Sequence, residues 1–347
     1  MINKNTTPKV NFDRQQSISK INDFASQGIP FLLIADFEGE NCMVEALDKI
    51  DEEEIRFWVN EENRKSKPVR LDFEIKLNKY PIPFSQYKIA FDYVQKNIFQ
   101  GNSFLTNLTC ETPIDMNISL LEVFERSDAK YKIYVKGKFV CFSPETFVQI
   151  DKTGKISSFP MKGTIDAALP DAVQIILNDK KEFYEYTTIV DLIRNDLSKI
   201  AEKVWVEKFR YIDRIQTQDG SELLQVSSEI SGLLSSDWRG GLGNILFEML
   251  PAGSISGAPK VQTLEIIARA EKHTYADRFG KSLHRRGFYT GVFAVFDGET
   301  FDSAVMIRFI EQTPEGLVFK SGGGITAKSV AELEYQEMLQ KIYVPIV

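Results

Sequence analysis

The first candidate for chemistry is Lys162, a primary amine at the end of a predicted strand. It follows the strand-like run Lys155–Phe159 and precedes Gly163, which permits close approach of backbone or ligand. A lysine acts as a nucleophile only after it loses its proton, which requires burial or neighbouring charge to lower its pKa from about 10.4. A lysine beside a glycine is more often a solvated loop residue, so the neighbouring groups must decide its role.

Two pairs of glutamates share an i, i+3 spacing. Glu182 and Glu185 lie on a long predicted helix, roughly in line with its apolar stripe. Glu334 and Glu337 border the apolar stripe of the last predicted helix. Because an isolated carboxylate is costly to bury, each pair should either meet Lys or Arg at a helix edge or bind a metal ion. If the two helices converge, the oxygen donors of both pairs suit Mg²⁺.

Glycine and arginine provide candidate groups for binding an anion. Gly322, Gly323 and Gly324 follow a predicted strand and precede a helix, so their amides can form a concave nest for a carboxylate, although such a run is more often only a turn. Arg308 falls in the predicted strand Ser303–Ile310, with small and apolar neighbours on its face. The small residues of Pro251–Lys260 allow close approach of a ligand or of two helices.

These residues must be positioned by interleaved groups of strands and helices, a pattern that indicates α+β layering rather than strict βαβ winding. Helical periodicity and capping signals predict helices over Ser85–Gln100, Pro170–Ala201 (continuous or broken), Gly243–Leu250, Ala258–Ala270 and Val330–Tyr343. Strands are predicted over Phe31–Phe37, Ser103–Cys110, Lys132–Phe142, Thr146–Ile150, Val204–Tyr211, Leu223–Leu233, Gly287–Phe296, Thr300–Ile310 and Leu317–Ser321. Pro81 and Pro83 mark a subdomain boundary.

The composition is that of an ordinary globular protein. A net charge of -7 disfavours nucleic acid or an anionic membrane as the main partner. Cys42, Cys110 and Cys141 are widely spaced and lack CxxC pairing, so we expect reduced thiols and no zinc site. The sequence contains no signal-like segment and no apolar run of about 18 residues, and a cytoplasmic location is expected.

Several motifs, in chain order, resemble those of chorismate-utilising enzymes. They are Asn107–Thr109, Ser143–Phe147, Phe159–Thr164, Glu185 with Asp191–Asp196, Pro251–Lys260, Arg286–Gly291, Ser321–Ile325 and Glu334–Glu337. The resemblance spans roughly Ser85–Tyr343 and implies an α+β fold, a four-layer α/β/β/α sandwich of two antiparallel sheets flanked by helices, with the active site in a cleft. It makes residues 85–343 the chorismate-binding catalytic domain and residues 1–84 a short N-terminal region that contributes to the same sandwich.

Within this family, Lys162 favours aminodeoxychorismate synthase component I. Those enzymes carry lysine in an element similar to Pro160–Thr164, where anthranilate synthases carry alanine. The resemblance implies that chorismate and ammonia give 4-amino-4-deoxychorismate, a precursor of p-aminobenzoate and folate. Because the sequence shows no glutaminase signature, it also implies a separate glutamine amidotransferase subunit as the ammonia donor.

The matching positions imply a role for each site residue. Lys162 would attack C2 of chorismate while Glu145 protonates the departing C4 hydroxyl. Mg²⁺ would be held by Glu185 and Glu337, with Glu182 and Glu334 as further or water-mediated ligands. The positions implied for binding the substrate are Gly163, Thr164, Tyr289, Arg308, Gly322, Gly323 and Gly324.

The chain departs from the family pattern in two places. Leu224 stands where members that make amino products usually carry histidine, which is consistent with stopping at the amino intermediate; His273 and His284 lie elsewhere and are expected at the surface or in packing. The region Phe31–Phe37 lacks the element associated with tryptophan binding, so no tryptophan regulation is expected. The alternatives are anthranilate synthase component I, an isochorismate or salicylate synthase, and a degenerate chorismate-binding subunit without activity.

Overall fold

The computed structural model describes residues 12–59, 74–216, 221–275 and 285–346. The helices are α1 (Arg14–Ser26), α2 (Phe84–Phe99), α3 (Leu120–Arg126), α4 (Ala172–Asn178), α5 (Lys180–Ser198), α6 (Leu242–Met249), α7 (Lys260–Ala270) and α8 (Ala331–Gln340). The strands are β1 (Phe31–Ala35), β2 (Cys42–Ala46), β3 (Ile55–Val59), β4 (Leu77–Lys79), β5 (Leu105–Met116), β6 (Tyr131–Val135), β7 (Phe139–Ser143), β8 (Thr146–Ile150), β9 (Lys155–Ser158), β10 (Met161–Asp166), β11 (Lys203–Gln216), β12 (Glu222–Leu233), β13 (Gly257–Ala258), β14 (Val292–Phe296), β15 (Phe301–Val305), β16 (Phe309–Thr313) and β17 (Gly316–Ile325).

The strands form two antiparallel sheets. The first sheet runs in the order β10-β12-β9-β8-β15-β14-β1-β2, with β11 beside β12. The second sheet runs β13-β5-β17-β16-β7-β6-β3, with β4 beside β5. Between the described strands the chain crosses from one sheet to the other five times, and the two shortest crossings, from β7 to β8 and from β15 to β16, lie side by side. Residues at these crossings lie between the sheets, and both predicted site residues Glu145 and Arg308 are found there.

Strand β1 shows how side-chain alternation builds the layers. Phe31 and Leu33 pack with helices α1, α5 and α6 on the outer face of the first sheet. Leu32 and Ile34 point the other way, into a cluster formed with strands of the second sheet. A third cluster packs α2, α3, α7 and α8 on the outer face of the second sheet. Three apolar interfaces between four layers confirm the predicted α+β sandwich.

The predicted helices are confirmed, with small shifts at their ends. The region Pro170–Ala201 is divided at Asp179 into α4 and α5. Ser85–Gln100 corresponds to α2, and Val330–Tyr343 to α8. The strands β1, β2 and β3 from the N-terminal part join both sheets, although the division at residue 84 stays a prediction.

No helix in the described ranges is long and apolar enough to cross a bilayer.

One strand prediction is wrong in a way that matters for the site. Thr300–Ile310 is not one strand, because β15 ends at Val305 and β16 begins at Phe309 in the other sheet. Arg308 has φ 55, a left-handed backbone that departs from the extended geometry of a regular strand. Lys132–Phe142 is also two strands, β6 and β7, joined by a turn at Gly137 with φ 67.

Candidate active site

A cavity lies where α5, the β7–β8 crossing and the loop after α6 meet. It brings together four of the motifs noted in the sequence, which are far apart along the chain. The lining residues of these motifs are Glu145, Thr146 and Phe147; Phe159 and Pro160; Ile193 and Asp196; and Ala252, Gly253 and Ser254. Ser158 and Met249 complete the lining.

Glu145 occupies the crossing from β7 to β8, beside the second crossing. The amide of Val305 donates to the carbonyl of Glu145 at 3.1 Å, and the amide of Phe142 donates to the carbonyl of Arg308 at 3.1 Å. These two bonds hold the crossings side by side. Glu145 and Arg308 are therefore neighbours although 163 positions separate them in the sequence, as 308 minus 145 gives.

The pKa of the Glu145 carboxyl is higher than that of an exposed glutamate. Burial raises its pKa, while a hydrogen bond from Ser254 and the charges of Arg308 and Lys341 lower it in part. The Ser254 hydroxyl donates to Oε1. The side chain is only partly buried and lines the cavity. A carboxyl with a raised pKa at a cavity wall suits a general acid.

The backbone of Lys162 lies inside β10, rather than in a loop at the end of β9. The pairing of β10 with β12 shifts between Lys162, opposite Val226, and Thr164, opposite Gln225. Gly163 sits at this shift with φ 76, which a residue with a side chain adopts only with strain. The backbone at Gly163 therefore forms a β-bulge, and its role in the close approach of a ligand stays a prediction. The side chain of Lys162 lies outside the described ones, and Thr164 is exposed.

Helix α5 is tied to the segment that precedes Lys162. The hydroxyl of Tyr186 donates to the carbonyl of Pro160 at 3.2 Å. The same carbonyl accepts the amide of Ser228 at 3.1 Å. The α5 turn that carries Glu182 and Glu185 is thereby fixed near β10 and the cavity.

Arg308 and Tyr289 lie on the side of the cleft nearest the second sheet. The guanidinium of Arg308 is partly exposed, donates to the Tyr343 hydroxyl at 3.4 Å and lies 5.4 Å from the centroid of that ring. Tyr289 is buried, with its ring centroid 5.9 Å from that of Phe309. Burial raises the pKa of its hydroxyl, and the nearby Arg286 lowers it in part. The tyrosine is therefore a neutral hydrogen-bonding group.

The three glycines do not form the predicted nest, because β17 continues through them as an extended strand beside β5. The N–H of Asn107, which lies opposite Gly324, donates to the carbonyl of Ser256 and so points away from β17. The N–H of Thr109, which lies opposite Gly322, donates to Glu271 and also points away from β17. In an antiparallel ladder, this pattern turns the N–H groups of Gly322 and Gly324 away from β5 and that of Gly323 towards it. The amides that face outward are thus those of Gly322 and Gly324.

Gly323 contributes the space that a side chain would fill. A Cβ on Gly323 would lie 3.7 Å from Glu334 Oε2, 3.8 Å from Glu337 Oε1 and 3.7 Å from Lys341 Nζ. Glu334 is buried, and Lys341 Nζ bridges Glu337 Oε1 at 2.7 Å and the carbonyl of Gly322 at 2.8 Å. Two carboxylate oxygens and the Lys341 ammonium thus lie around one open point on the sheet, and the carboxylate oxygens are of the kind that Mg²⁺ prefers.

Helix α8 alone supplies the described part of the predicted metal site. Among the described side chains, no group of three or more His, Cys, Asp or Glu could hold a metal ion. The side chains of Glu182 and Glu185 lie outside those described, so the site with glutamates from both helices stays a prediction. Lys341 was not predicted, although its position one turn after Glu337 on a helix was a readable signal.

Two charged residues of the motifs, Lys260 and Asp196, pair with each other. Lys260, at the end of Pro251–Lys260, forms an ion pair with Asp196 Oδ2 at 2.7 Å and donates to the Met249 carbonyl at 3.0 Å. Burial lowers the pKa of Lys260, and Asp196 offsets part of that effect. Asp196 also pairs with Lys199 at 3.1 Å. The ion pair fixes the loop after α6 against α5.

Leu224, the position where the resemblance implies a histidine in other members, is buried and lies opposite Ile165 of β10. His273 lies in the turn after α7, where burial lowers its pKa, and its carbonyl accepts a bond from Gln86 at 2.8 Å. These contacts agree with a packing role for His273. His284 lies outside the described residues.

A family model described as chorismate binding enzyme matches residues 13–346. The chain belongs to the chorismate binding enzyme family. An uncharacterised PabA-like protein of Haemophilus influenzae is 47% identical over 335 residues, covering 96% of this chain and 97% of that protein. Anthranilate synthase component 1 of Synechocystis is 30% identical over 276 residues, covering 73% of this chain and 50% of that protein. Aminodeoxychorismate synthase component 1 of Bacillus subtilis is 27% identical over 285 residues, covering 76% of this chain and 56% of that protein.

Solved structures of chorismate enzymes share the fold. Anthranilate synthase component I from Streptococcus pneumoniae has a TM-score of 0.62 at 24% identity, covering 77% of this chain and 58% of that chain. The menaquinone-specific isochorismate synthase MenF from Escherichia coli has a TM-score of 0.68 at 14% identity, covering 96% of this chain and 82% of that chain. At these identities the likeness concerns the fold, and the specific reaction must be argued from the site.

Proposed function

We propose that this chorismate binding enzyme is an aminodeoxychorismate synthase component I, which converts chorismate and ammonia to 4-amino-4-deoxychorismate. One observation carries the proposal: the segment leading to Lys162 lines the same cavity as Glu145, through Phe159 and Pro160. Overall identity does not separate the candidates, since the anthranilate synthase of Synechocystis is 30% identical and the aminodeoxychorismate synthase of Bacillus subtilis 27%. The lysine at position 162, instead of alanine, favours the second.

The first chemical step would use Lys162 and Glu145 together. Neutral Lys162 forms a bond from Nζ to C2 of chorismate, the conjugated ring double bonds shift, and the C4–O bond breaks. Glu145 gives its proton to the departing hydroxyl, which leaves as water. The raised pKa of Glu145, caused by burial, keeps that proton available. Ammonia then bonds to C4, the double bonds shift back, the C2–N bond breaks, and Glu145 recovers a proton from the new ammonium group.

The substrate carboxylates would be held by groups on either side of the ring. Arg308 and the outward amides of Gly322 and Gly324 provide donors for the enolpyruvyl carboxylate, with Tyr289 beside them. Glu334 and Glu337, with Glu182 and Glu185 of α5, would hold Mg²⁺. When bound, Mg²⁺ would supply positive charge to the ring carboxylate.

The test is the identity of the product formed from chorismate, Mg²⁺ and ammonium. We expect mass spectrometry to show 4-amino-4-deoxychorismate, and Lys162→Ala to lose its formation while still binding chorismate in calorimetry. Glu145→Gln should lower the rate by about 10²–10⁴-fold, because it removes a positioned acid. Anthranilate or isochorismate as the main product would refute the assignment, and full turnover by Lys162→Ala would refute the nucleophile.

The ammonia is proposed to come from a separate glutamine amidotransferase subunit. The purified chain should therefore use ammonium but not glutamine as the nitrogen source. Product formed from glutamine by this chain alone would contradict the need for that partner.

A further inference from the structure

The hydroxyl of Ser254 donates to Oε1 of Glu145, and both residues line the cavity. We propose that Ser254 is a positioning residue that decides which oxygen of Glu145 carries the catalytic proton. The inference deepens the proposed function and rests on Glu145 acting as the acid. No motif spacing predicts this contact, because 109 residues separate the two positions.

The assignment of the proton follows from the capacity of each group. A serine hydroxyl has one proton, and here that proton is directed at Oε1. A neutral carboxyl whose Oε1 already accepts a hydrogen bond places its own proton on Oε2. Oε2 is thus the atom that delivers the proton to the departing C4 hydroxyl, and Oε1 is the atom held still.

Ser254 is itself held from both sides, so that it can orient Glu145 without moving. It lies in the short turn Gly253–Ile255. On one side, a Cβ on Gly253 would lie 3.1 Å from Asp196 Oδ2, so the turn packs directly against α5. On the other side, the carbonyl of Ile255 accepts a bond from Arg286 at 2.8 Å. The hydroxyl of Ser256 closes the turn by donating to the Ala252 carbonyl at 2.9 Å.

The charges that face Glu145 come from three elements. Arg308 lies at the β15–β16 crossing and Lys341 at the end of α8, and both favour the ionised carboxylate. Asp196 of α5 lines the cavity but is paired with Lys260 at 2.7 Å and Lys199 at 3.1 Å. Since the Ser254 hydrogen bond also favours the carboxylate, its removal raises the pKa of Glu145 further.

The experiment compares three variants by the consumption of chorismate, whatever the product. Ser254→Ala should lower kcat by about 10- to 100-fold, the cost of losing a hydrogen bond to a charged or reacting group, with KM nearly unchanged. The alkaline limb of its pH profile should move to higher pH, because the acid form of Glu145 persists longer. Ser254→Thr should restore both properties. Ser256→Ala is the matched control, since it weakens the same turn without removing the Glu145 partner.

A second readout needs no turnover. Difference infrared spectra, taken against Glu145→Gln, follow the protonation of the Glu145 carboxyl directly; the transition should lie at higher pH in Ser254→Ala than in the wild type. An unchanged transition would overturn the inference, and so would a Ser256→Ala variant with the same kinetic defect. A product other than 4-amino-4-deoxychorismate would refute the proposed function alone, because the Ser254 effects are read from chorismate loss and from the spectrum.

Discussion

Two arginines near the cleft, Arg286 and Arg308, occupy opposite environments. Arg286 is 1% exposed, and its guanidinium donates to both carboxylate oxygens of Glu271 at 2.6–3.1 Å. It also donates to the carbonyls of Ile255 at 2.8 Å and Asn107 at 2.7 Å. Arg308 is partly exposed, has a left-handed backbone with φ 55, and donates to the Tyr343 hydroxyl at 3.4 Å.

The comparison separates a charge that stabilises the fold from a charge that is left available for a ligand. All the N–H directions of Arg286 are used by the chain itself, so it joins β5, the Ser254 turn and the segment after α7. Arg308 makes a long hydrogen bond and is held by backbone geometry at a crossing between sheets. A place in a family motif therefore does not show that a residue binds substrate. The groups that its side chain contacts indicate whether it does.

The largest effect should follow from Arg286→Met. This change leaves the carboxylate of Glu271 buried without its partner, and we expect a loss of about 3–5 kcal/mol in the free energy of unfolding, measured in urea. The double variant Arg286→Met, Glu271→Leu should recover most of that loss, because neither charge remains. If the free energy of unfolding of Arg286→Met lay within about 1 kcal/mol of the wild-type value, Arg286 would not be a residue that mainly stabilises the fold.

Arg308→Met should show the reverse behaviour. Removal of a charge-assisted contact to a substrate carboxylate should raise KM for chorismate by about 10- to 100-fold. The free energy of unfolding should stay within about 0.5 kcal/mol, as expected for a partly exposed residue. Arg308→Lys is the control for charge without the planar guanidinium and should recover only part of the affinity. If Arg308→Met were as destabilised as Arg286→Met, both arginines would have to be regarded as stabilising the fold.

Local patterns predicted the elements, whereas the four-layer arrangement was what the family resemblance implied. The apolar stripe of α2 was readable from side chains three or four positions apart, and β1 from a short apolar run. The β15–β16 crossing at Arg308 was missed, since a left-handed arginine leaves no mark on the alternation of a strand. The glycines of β17 were misread for a similar reason: glycine permits turns, but here its small size leaves open space beside Glu334.

The site contacts between distant segments could not be predicted without the fold. The pairs Ser254–Glu145, Lys260–Asp196 and Arg286–Glu271 join segments that only the sheet topology brings together. The resemblance placed Glu145, Arg308 and the Lys162 segment in one cleft, and the β7–β8 and β15–β16 crossings give the physical reason for the first two.

The carboxyl of Glu38 gives a further test of whether the donors of Arg286 are used only by the fold. It lies in the β1–β2 turn, and among the described residues its buried Oε2 has no hydrogen-bond partner. Burial, followed by repulsion from Asp36, raises its pKa from 4.5 to about 7, and the attraction of Arg285 and Arg286 offsets this only in part. Arg286 cannot give Glu38 a hydrogen bond because its donors are already directed to Glu271 and to backbone carbonyls.

Glu38→Gln should therefore change how stability depends on pH. In the wild type the folded chain holds this proton up to about pH 7, whereas the unfolded chain loses it near pH 4.5, so the contribution of Glu38 is present at low pH and lost as pH rises through 7. The variant cannot ionise, and its free energy of unfolding relative to the wild type should rise by about 1–2 kcal/mol between roughly pH 5 and 8, less than the full shift because Glu38 is partly exposed. Glu40→Gln, exposed in the same turn, should give a curve parallel to that of the wild type. A parallel curve for Glu38→Gln would mean that Glu38 shares the donors of Arg286 after all, and that Arg286 is less fully committed to the fold than its contacts indicate.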